Sequence, residues 1–450
     1  GVPIDDALKA ILTGPPSADA SLKWLYPYDK TTWPLGTLAP LLQWTPTAAP
    51  IDAIYIHLTG KSYEYKGFFG RPPALPAGAP FVHHPIPQDV WKSALTSCAG
   101  GTLTASVVVA SGGAAWGPIT QTWNVASGPL KGTVYYQSYG TSLAKNYEGG
   151  IGGDGLFGGA TLAIKGGSSD PTLVAGSNGG HDACRVCHSV SLDGSRMIVQ
   201  QGLDYGASSS YALNGAYAET PYGAGDIGKF GWIGMYPDGS IGLSNGAPLH
   251  AKELPASQLY DMATATVVPS VGLEAFVTKA GFPAFSPDGK HVAFSLYTGA
   301  GTAETGPGDG SQLVAMDFDR TTNTFSNPKL LYKAPADKAP GWVSFLPTND
   351  AVVFVVQSRT NNANEFMMTR YGARGELYWS DLATGTAHSL DMANGKEAGV
   401  SYLPSGANAH DDDTTLQYEP TINPVVSGGY AWVVFMSRRM YGNVATIDPW

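Results

Sequence analysis

The stretch Pro283-Ala284-Phe285-Ser286-Pro287-Asp288-Gly289-Lys290-His291-Val292-Ala293-Phe294-Ser295 decides the fold of this 450-residue chain. Strand-forming residues lie on both sides of an Asp-Gly pair, and this arrangement predicts a tight β-hairpin. A further strand-like run follows at Gln312–Asp317. We therefore predict the order strand, tight turn, strand, loop and strand.

Weaker copies of this unit recur in the second part of the chain. The turn is found again at Tyr236–Ser240, and a third strand of the same kind at Leu377–Leu382. Both hairpin strands recur in two places, which are Pro340–Pro347 with Ala351–Phe354 and Glu419–Pro424 with Ala431–Phe435. The motif resembles a blade of the TolB or PD40 type of β-propeller. This resemblance implies that residues 129–450 form about six four-stranded blades around a central channel.

The region before the repeats has a different pattern. Residues 23–128 contain short strands separated by Pro- and Gly-rich turns, at Leu41–Trp44, Ala53–Leu58, Leu103–Val109 and Thr120–Val125. The pattern resembles a fibronectin type III or immunoglobulin-like β-sandwich. Residues 1–22 form a lead-in segment with a short helical stretch at Asp5–Leu12. The predicted fold class is all-β, an N-terminal β-sandwich followed by a six-bladed propeller.

Composition agrees with this fold class and excludes some functions. The chain has 57 Gly and 33 Pro but only 14% charged residues, which favours turns and strands over helices. The net charge of −10 and the absence of a basic run argue against a nucleic acid partner. Without an apolar run of about 18 residues, we expect no membrane-spanning helix. The sequence begins with Gly1 and not with Met, so we expect a mature, exported form. Whether the native chain continues past Trp450 stays open.

One short motif indicates a cofactor. Cys184-Arg185-Val186-Cys187-His188 has the CxxCH pattern of a c-type haem attachment site. Two thiols at this spacing can add to the vinyl groups of one porphyrin, and the next imidazole can bind the iron. The predicted cofactor is one covalent haem c held by Cys184 and Cys187, with His188 as the proximal iron ligand. Alignment through the Asp193-Gly194 turn predicts that His188 opens the innermost strand of a blade, near the channel mouth.

Other interpretations of these residues stay open. A zinc site would need a fourth ligand of recognisable spacing, and a thioredoxin-like redox pair would need a βαβ setting. A chance match is the third alternative. The remaining cysteine, Cys98, is expected to be a small buried hydrophobe.

The distal iron ligand is less clear from the sequence. His410 precedes the innermost strand of the last blade and is our candidate, with His181, the pair His83–His84 and the pair Met367–Met368 as alternatives. Met197 would lie on the same sheet face as His188, so we expect it in the core. The acidic run Asp411–Asp413 is either a solvated charge run or a Ca²⁺ site.

These observations predict a mono-haem c-type cytochrome that transfers electrons to a redox protein partner. Because haem attachment occurs outside the cytoplasm, we expect a periplasmic or secreted protein. No catalytic residue is assigned. The alternatives are a haem-dependent oxidoreductase, such as a peroxidase-like enzyme, and a surface interaction scaffold whose haem is subsidiary.

Overall fold

The computed structural model describes residues 4–72, 82–147, 154–201, 207–222, 230–247, 254–299, 309–358, 372–403, 405 and 412–439. Within these ranges the protein is almost entirely β, with two short α-helices, α1 at Asp6–Thr13 and α2 at Gln88–Ser97. Neither helix, nor any other segment described, is a long apolar helix of the kind that crosses a membrane. The predicted all-β fold class is confirmed.

The N-terminal part is a sandwich of two sheets. The larger sheet has the order β2-β8-β7-β4-β5 and the smaller β1-β3-β6. Their strands are β1 (Trp24–Tyr26), β2 (Thr32–Leu35), β3 (Leu41–Trp44), β4 (Ile51–Gly60), β5 (Tyr63–Gly70), β6 (Val82–Pro85), β7 (Thr102–Ser111) and β8 (Ala114–Pro129). All four strands predicted here are present.

Tryptophan side chains fill the sandwich core. Trp44, Trp91 and Trp123 are completely buried, and Trp33 packs edge-on against Trp91 at 5.1 Å between ring centroids. Such edge-to-face pairs are favoured by the aromatic quadrupole. The sheet also contains a parallel pair, β2 with β8. The finer likeness to immunoglobulin or fibronectin modules, and the division at residues 22/23 and 128/129, stay predictions.

Six further sheets form the propeller. Their strands in chain order are β9 (Thr133–Thr141), β10 (Gly158–Lys165), β11 (Thr172–Ala175); β12 (Arg185–Val190), β13 (Arg196–Gln201), β14 (Ala207–Ala212), β15 (Glu219–Pro221); β16 (Gly234–Met235), β17 (Ile241–Leu243), β18 (Leu259–Asp261), β19 (Val267–Val268); β20 (Val277–Phe285), β21 (His291–Gly299), β22 (Asp309–Asp319), β23 (Thr324–Lys333); β24 (Lys338–Phe345), β25 (Ala351–Ser358), β26 (Gly375–Asp381), β27 (Ala387–Ser389); and β30 (Gln417–Ile422), β31 (Val433–Ser437).

Each of the four middle sheets has four described strands in sequential order, as expected for propeller blades. The first sheet has three described strands and the last has two. A small ribbon, β28 (Lys396–Glu397) with β29 (Val400–Ser401), lies between the last two blades in the sequence. The repeats predicted from the Asp-Gly hairpins are therefore confirmed.

The predicted hairpin turn is held by side-chain hydrogen bonds. The Ser286 hydroxyl donates to Asp288 and accepts from the His291 amide, while the Gly289 amide donates to the Ser286 carbonyl. Ser191 and Asp193 make the corresponding bond at 2.7 Å after β12. Gly194 and Gly289 both adopt φ of +70°, a conformation that glycine tolerates best.

The sandwich lies against the last blade. The Tyr28 hydroxyl donates to Asp413 at 2.9 Å, and Lys30 pairs with Glu397. The Asn423 side chain donates to the Lys131 carbonyl, just after β8. These contacts join the N-terminal part of the chain to the ribbon and to the blade that follows it.

Candidate functional site

The innermost strands of four blades share one backbone irregularity. In β12, β20, β24 and β30 two residues bulge opposite one residue of the neighbouring strand, and the register shifts there. In each bulge the first residue has a positive φ although it is not glycine. Trp232, just before β16, also has a positive φ. These five positions, with φ between 46° and 54°, are Cys187, Trp232, Phe282, Trp342 and Glu419. We call them the axial ring.

The axial ring converges on the propeller axis. Phe282 and Trp342 are stacked with ring centroids 4.1 Å apart and an interplanar angle of 23°. Trp232 meets Trp342 edge-on at 5.9 Å and also packs against the cluster around Cys187. The Trp232 amide donates to the Cys187 carbonyl, which links two neighbouring blades. Side chains from different blades therefore meet at one level of the channel.

Above the axial ring lies a cavity of about 760 Å³. All six inner strands contribute to its wall, and Trp232, Phe282, Trp342 and Glu419 form its floor. The hairpin turns at Leu192–Gly194 and Pro287 lie at the other end, where the cavity opens. This volume is within the range of small-molecule sites in proteins. The channel is therefore a pocket with an aromatic floor.

Glu419 brings a carboxyl group to this floor. Its side chain is half-buried, and none of the described residues donates a hydrogen bond to its carboxyl oxygens. Burial raises the pKa of Glu419 to about 7 because the charged form loses its hydration. At neutral pH this group is poised between its two protonation states, as acid–base and ion-binding groups often are.

His188 also lines the cavity, but its ring is already engaged. Nε2 lies 3.2 Å from the Tyr135 carbonyl oxygen, which can only accept, so Nε2 carries the hydrogen. Nδ1 is buried and has no partner among the described residues. Burial lowers the pKa of His188 to about 4, although the bond to Tyr135 acts in the opposite direction. His188 is therefore neutral at physiological pH and lies within β12 rather than at its start.

The two cysteine thiols are buried and do not line the cavity. Cys184 is 8% exposed and hydrogen-bonds Tyr147, and Cys187 is 1% exposed. Neither belongs to the cavity wall, which includes His188. Burial raises the pKa of Cys184 to about 11 and also raises the pKa of Cys187, to which the nearby Glu419 carboxylate contributes. Protonated, enclosed thiols lack the reactivity of a thioredoxin-like pair.

The predicted function as an electron-transferring mono-haem cytochrome is wrong. Among the described residues, no three His, Cys, Asp or Glu side chains gather into a group that could hold a metal ion. The same finding disfavours the zinc alternative. Nε2 of His188 is hydrogen-bonded to the Tyr135 carbonyl oxygen, so this nitrogen would have to give up that bond in order to bind iron. Covalent haem attachment itself stays a prediction, which the mass of the purified chain would check.

The candidates for a distal ligand are scattered or outside the described residues. His410, Met367 and Met368 lie outside them. His83 and His84 are in β6 of the sandwich, where His84 packs against Phe69 at 4.3 Å. His181 lies in a 3₁₀ turn and approaches Tyr147. Met197 is fully buried in the blade core, as predicted.

The two described members of the acidic run have protein partners. Asp412 pairs with Arg374 at 2.7 Å, and Asp413 accepts from Tyr28. Asp411 lies outside the described residues. Ca²⁺ binding at this run stays a prediction that a Ca²⁺ titration would check.

The axial ring and the role of Glu419 were not predicted from the sequence. Glu419 was expected only to begin a strand, because a positive φ at a non-glycine residue leaves no mark in composition. A signal was nevertheless present. When the repeats are aligned at the bulge, Trp232, Phe282 and Trp342 are aromatic, and Glu419 is the one charged residue at that position.

Comparisons with known proteins give structural likenesses but no family. No protein-family model matches the chain, and no curated protein matches it. Among solved structures, an auxiliary nutrient binding protein from Bacteroides thetaiotaomicron shares 12% identity, with a TM-score of 0.35 over 90% of this chain and 92% of that one.

Two further solved structures are similar to parts of the chain. An oligogalacturonate lyase from Vibrio parahaemolyticus has 12% identity and a TM-score of 0.30, covering 62% of this chain and 83% of that one. A putative 6-phosphogluconolactonase from Bacteroides uniformis has 11% identity and a TM-score of 0.29, covering 75% and 95%. These proteins are β-propeller-like, and none is a cytochrome. At such identities and TM-scores the likenesses say nothing about the activity of this chain.

Proposed function

We propose that this protein binds a small organic molecule in the axial cavity of its propeller. The observation that carries the proposal is the cavity itself, about 760 Å³ in volume and built by all six inner strands. Its floor combines stacked aromatic rings with the carboxyl group of Glu419, which has no hydrogen-bond partner within the part of the chain that the structure describes. An apolar wall with a few polar groups is typical of small-molecule sites.

The floor is already packed without a ligand, which favours binding. Phe282 is only 3% exposed and stacks on Trp342 with ring centroids 4.1 Å apart. A preformed site costs little conformational entropy when a ligand enters. A periplasmic or secreted location is compatible with such a binding role and stays a prediction.

Phenol is a suitable neutral probe of this proposal, because its ring can stack on Trp342 and its hydroxyl can reach a carboxyl group. We expect saturation-transfer NMR to show phenol binding to the wild type and to Trp379→Leu. Trp379 is a matched control. It lies in β26, the third strand of its blade, and packs on His388. In Trp342→Leu the signal should fall several-fold.

A second variant covers the case in which Trp342→Leu does not fold. Thr421 is exposed and lines the cavity, so Thr421→Trp should fill the site without disturbing the core. Unchanged phenol binding in a folded Trp342→Leu or Thr421→Trp protein would contradict the proposal.

A further inference from the structure

We propose that the ligand of the axial cavity is an organic cation, a substituted ammonium group on a small organic body. This inference rests on the proposed function and specifies the chemistry of the ligand. It stands on the placement of Glu419 and Trp342, which occupy the same bulge position in neighbouring blades, β30 and β24. The carboxyl group and the aromatic rings thus share the cavity floor.

The charges around the cavity favour a positive ligand. A half-buried carboxylate without a partner is costly in free energy unless a cation or hydrogen-bond donors compensate it. Lys131 is the only Lys or Arg among the described residues of the wall, and it is exposed at the mouth. Asp193, the other carboxylate of the wall, already accepts from Ser191 and Ser195. An anionic ligand would therefore meet unfavourable charge, whereas a cation would supply the missing partner of Glu419.

The aromatic rings strengthen this preference. The face of an aromatic ring carries partial negative charge and attracts ammonium groups, most strongly for Trp. Trp232, Phe282 and Trp342 have their centroids within 4.1–6.1 Å of one another, so that several rings lie at one place. A neutral ring could use the same surfaces but would leave Glu419 unpaired. A quaternary ammonium group suits both the carboxyl group of Glu419 and the aromatic rings. It carries a positive charge, and it needs no hydrogen-bond acceptors.

Choline and 3,3-dimethylbutan-1-ol provide the test, since they have the same shape and differ in charge. Isothermal titration calorimetry of the full chain at pH 8 should give choline an affinity at least about tenfold higher than that of the neutral alcohol. Glu419→Gln should remove this preference, and Trp342→Leu should weaken choline binding. The matched controls Glu274→Gln, at an exposed position, and Trp379→Leu should bind choline as the wild type does.

The outcomes separate the two proposals. Equal affinities for choline and 3,3-dimethylbutan-1-ol would overturn the cation inference and leave small-molecule binding in place. Choline binding that Glu419→Gln does not change would also overturn it, because the carboxyl group would then contribute nothing to binding the cation. If phenol occupies the cavity and choline does not bind at all, only the cation inference fails. If neither probe binds, both proposals fail.

Discussion

Glu419 faces the axial cavity without a hydrogen-bond partner among the described residues, and burial raises its pKa from 4.5 to about 7. The folded state therefore favours the protonated carboxyl group more than the unfolded chain does. Linkage then requires the wild type to lose stability as the pH rises from about 4.5 through 7. Each unit of pKa shift corresponds to about 1.4 kcal/mol, so the full effect is at most roughly 3 kcal/mol.

Glu419→Gln should remove this loss, because the amide resembles the protonated acid and cannot ionise. We expect the variant to be more stable than the wild type by roughly 1–3 kcal/mol at pH 8 and equal to it near pH 4. Urea unfolding at the two pH values measures the difference. The pKa of His188 is lowered to about 4, so its protonation destabilises both proteins toward acid. This loss of stability is the same in both and does not affect the difference between them. A variant less stable than the wild type at pH 8 would contradict this description of Glu419.

At the same scale, the CxxCH motif of Cys184, Cys187 and His188 still predicts haem attachment, which the mass of the purified chain would check. The structure adds that Cys187 and His188 are the two bulged residues of β12, and that of these two only His188 lines the cavity. Sequence alone could not locate the bulge, because it is a change in backbone register rather than a residue type.

At the scale of elements, the Asp-Gly hairpins were predictable and the bulges were not. The turn residues Ser286, Asp288 and Gly289 carry local information, since the hydrogen bonds that close the hairpin form among residues of the turn itself. The hairpin after β12 also pairs Val190 with Met197. The bulges depend instead on packing between neighbouring blades, as in the bond from Trp232 to Cys187. Such contacts join segments that are far apart in the sequence.

Two equivalent turn glycines offer a matched pair of substitutions. Gly194 and Gly289 have the same φ of +70°, so alanine should cause the same backbone strain at either site, about 1 kcal/mol. A Cβ atom at Gly194 meets nothing within 4 Å, whereas one at Gly289 would lie 2.4 Å from the Tyr236 hydroxyl. Tyr236 is held edge-on against Phe285, which limits its movement.

Gly289→Ala should therefore destabilise the protein by at least about 1 kcal/mol more than Gly194→Ala. Denaturant unfolding of both variants measures the two losses. Equal losses would mean that Tyr236 does not pack over the turn as described.

At the scale of the whole molecule, the six inner strands enclose one cavity whose wall includes residues from 131 to 436. The sandwich contacts the segment before the last blade through Tyr28, the loop within that blade through Ser127, and the ribbon through Lys30. The repeats predicted the propeller, because every copy carries the same hairpin. They did not predict the site, since it exists only where side chains of different blades meet.

A crystal structure of the full chain grown with choline would show whether the axial cavity binds an organic cation. We expect density for the trimethylammonium group on the floor of the axial cavity, against Trp342 and beside the Glu419 carboxyl group. A structure in which the cavity floor is open, or in which choline binds elsewhere and the cavity holds only water, would contradict it.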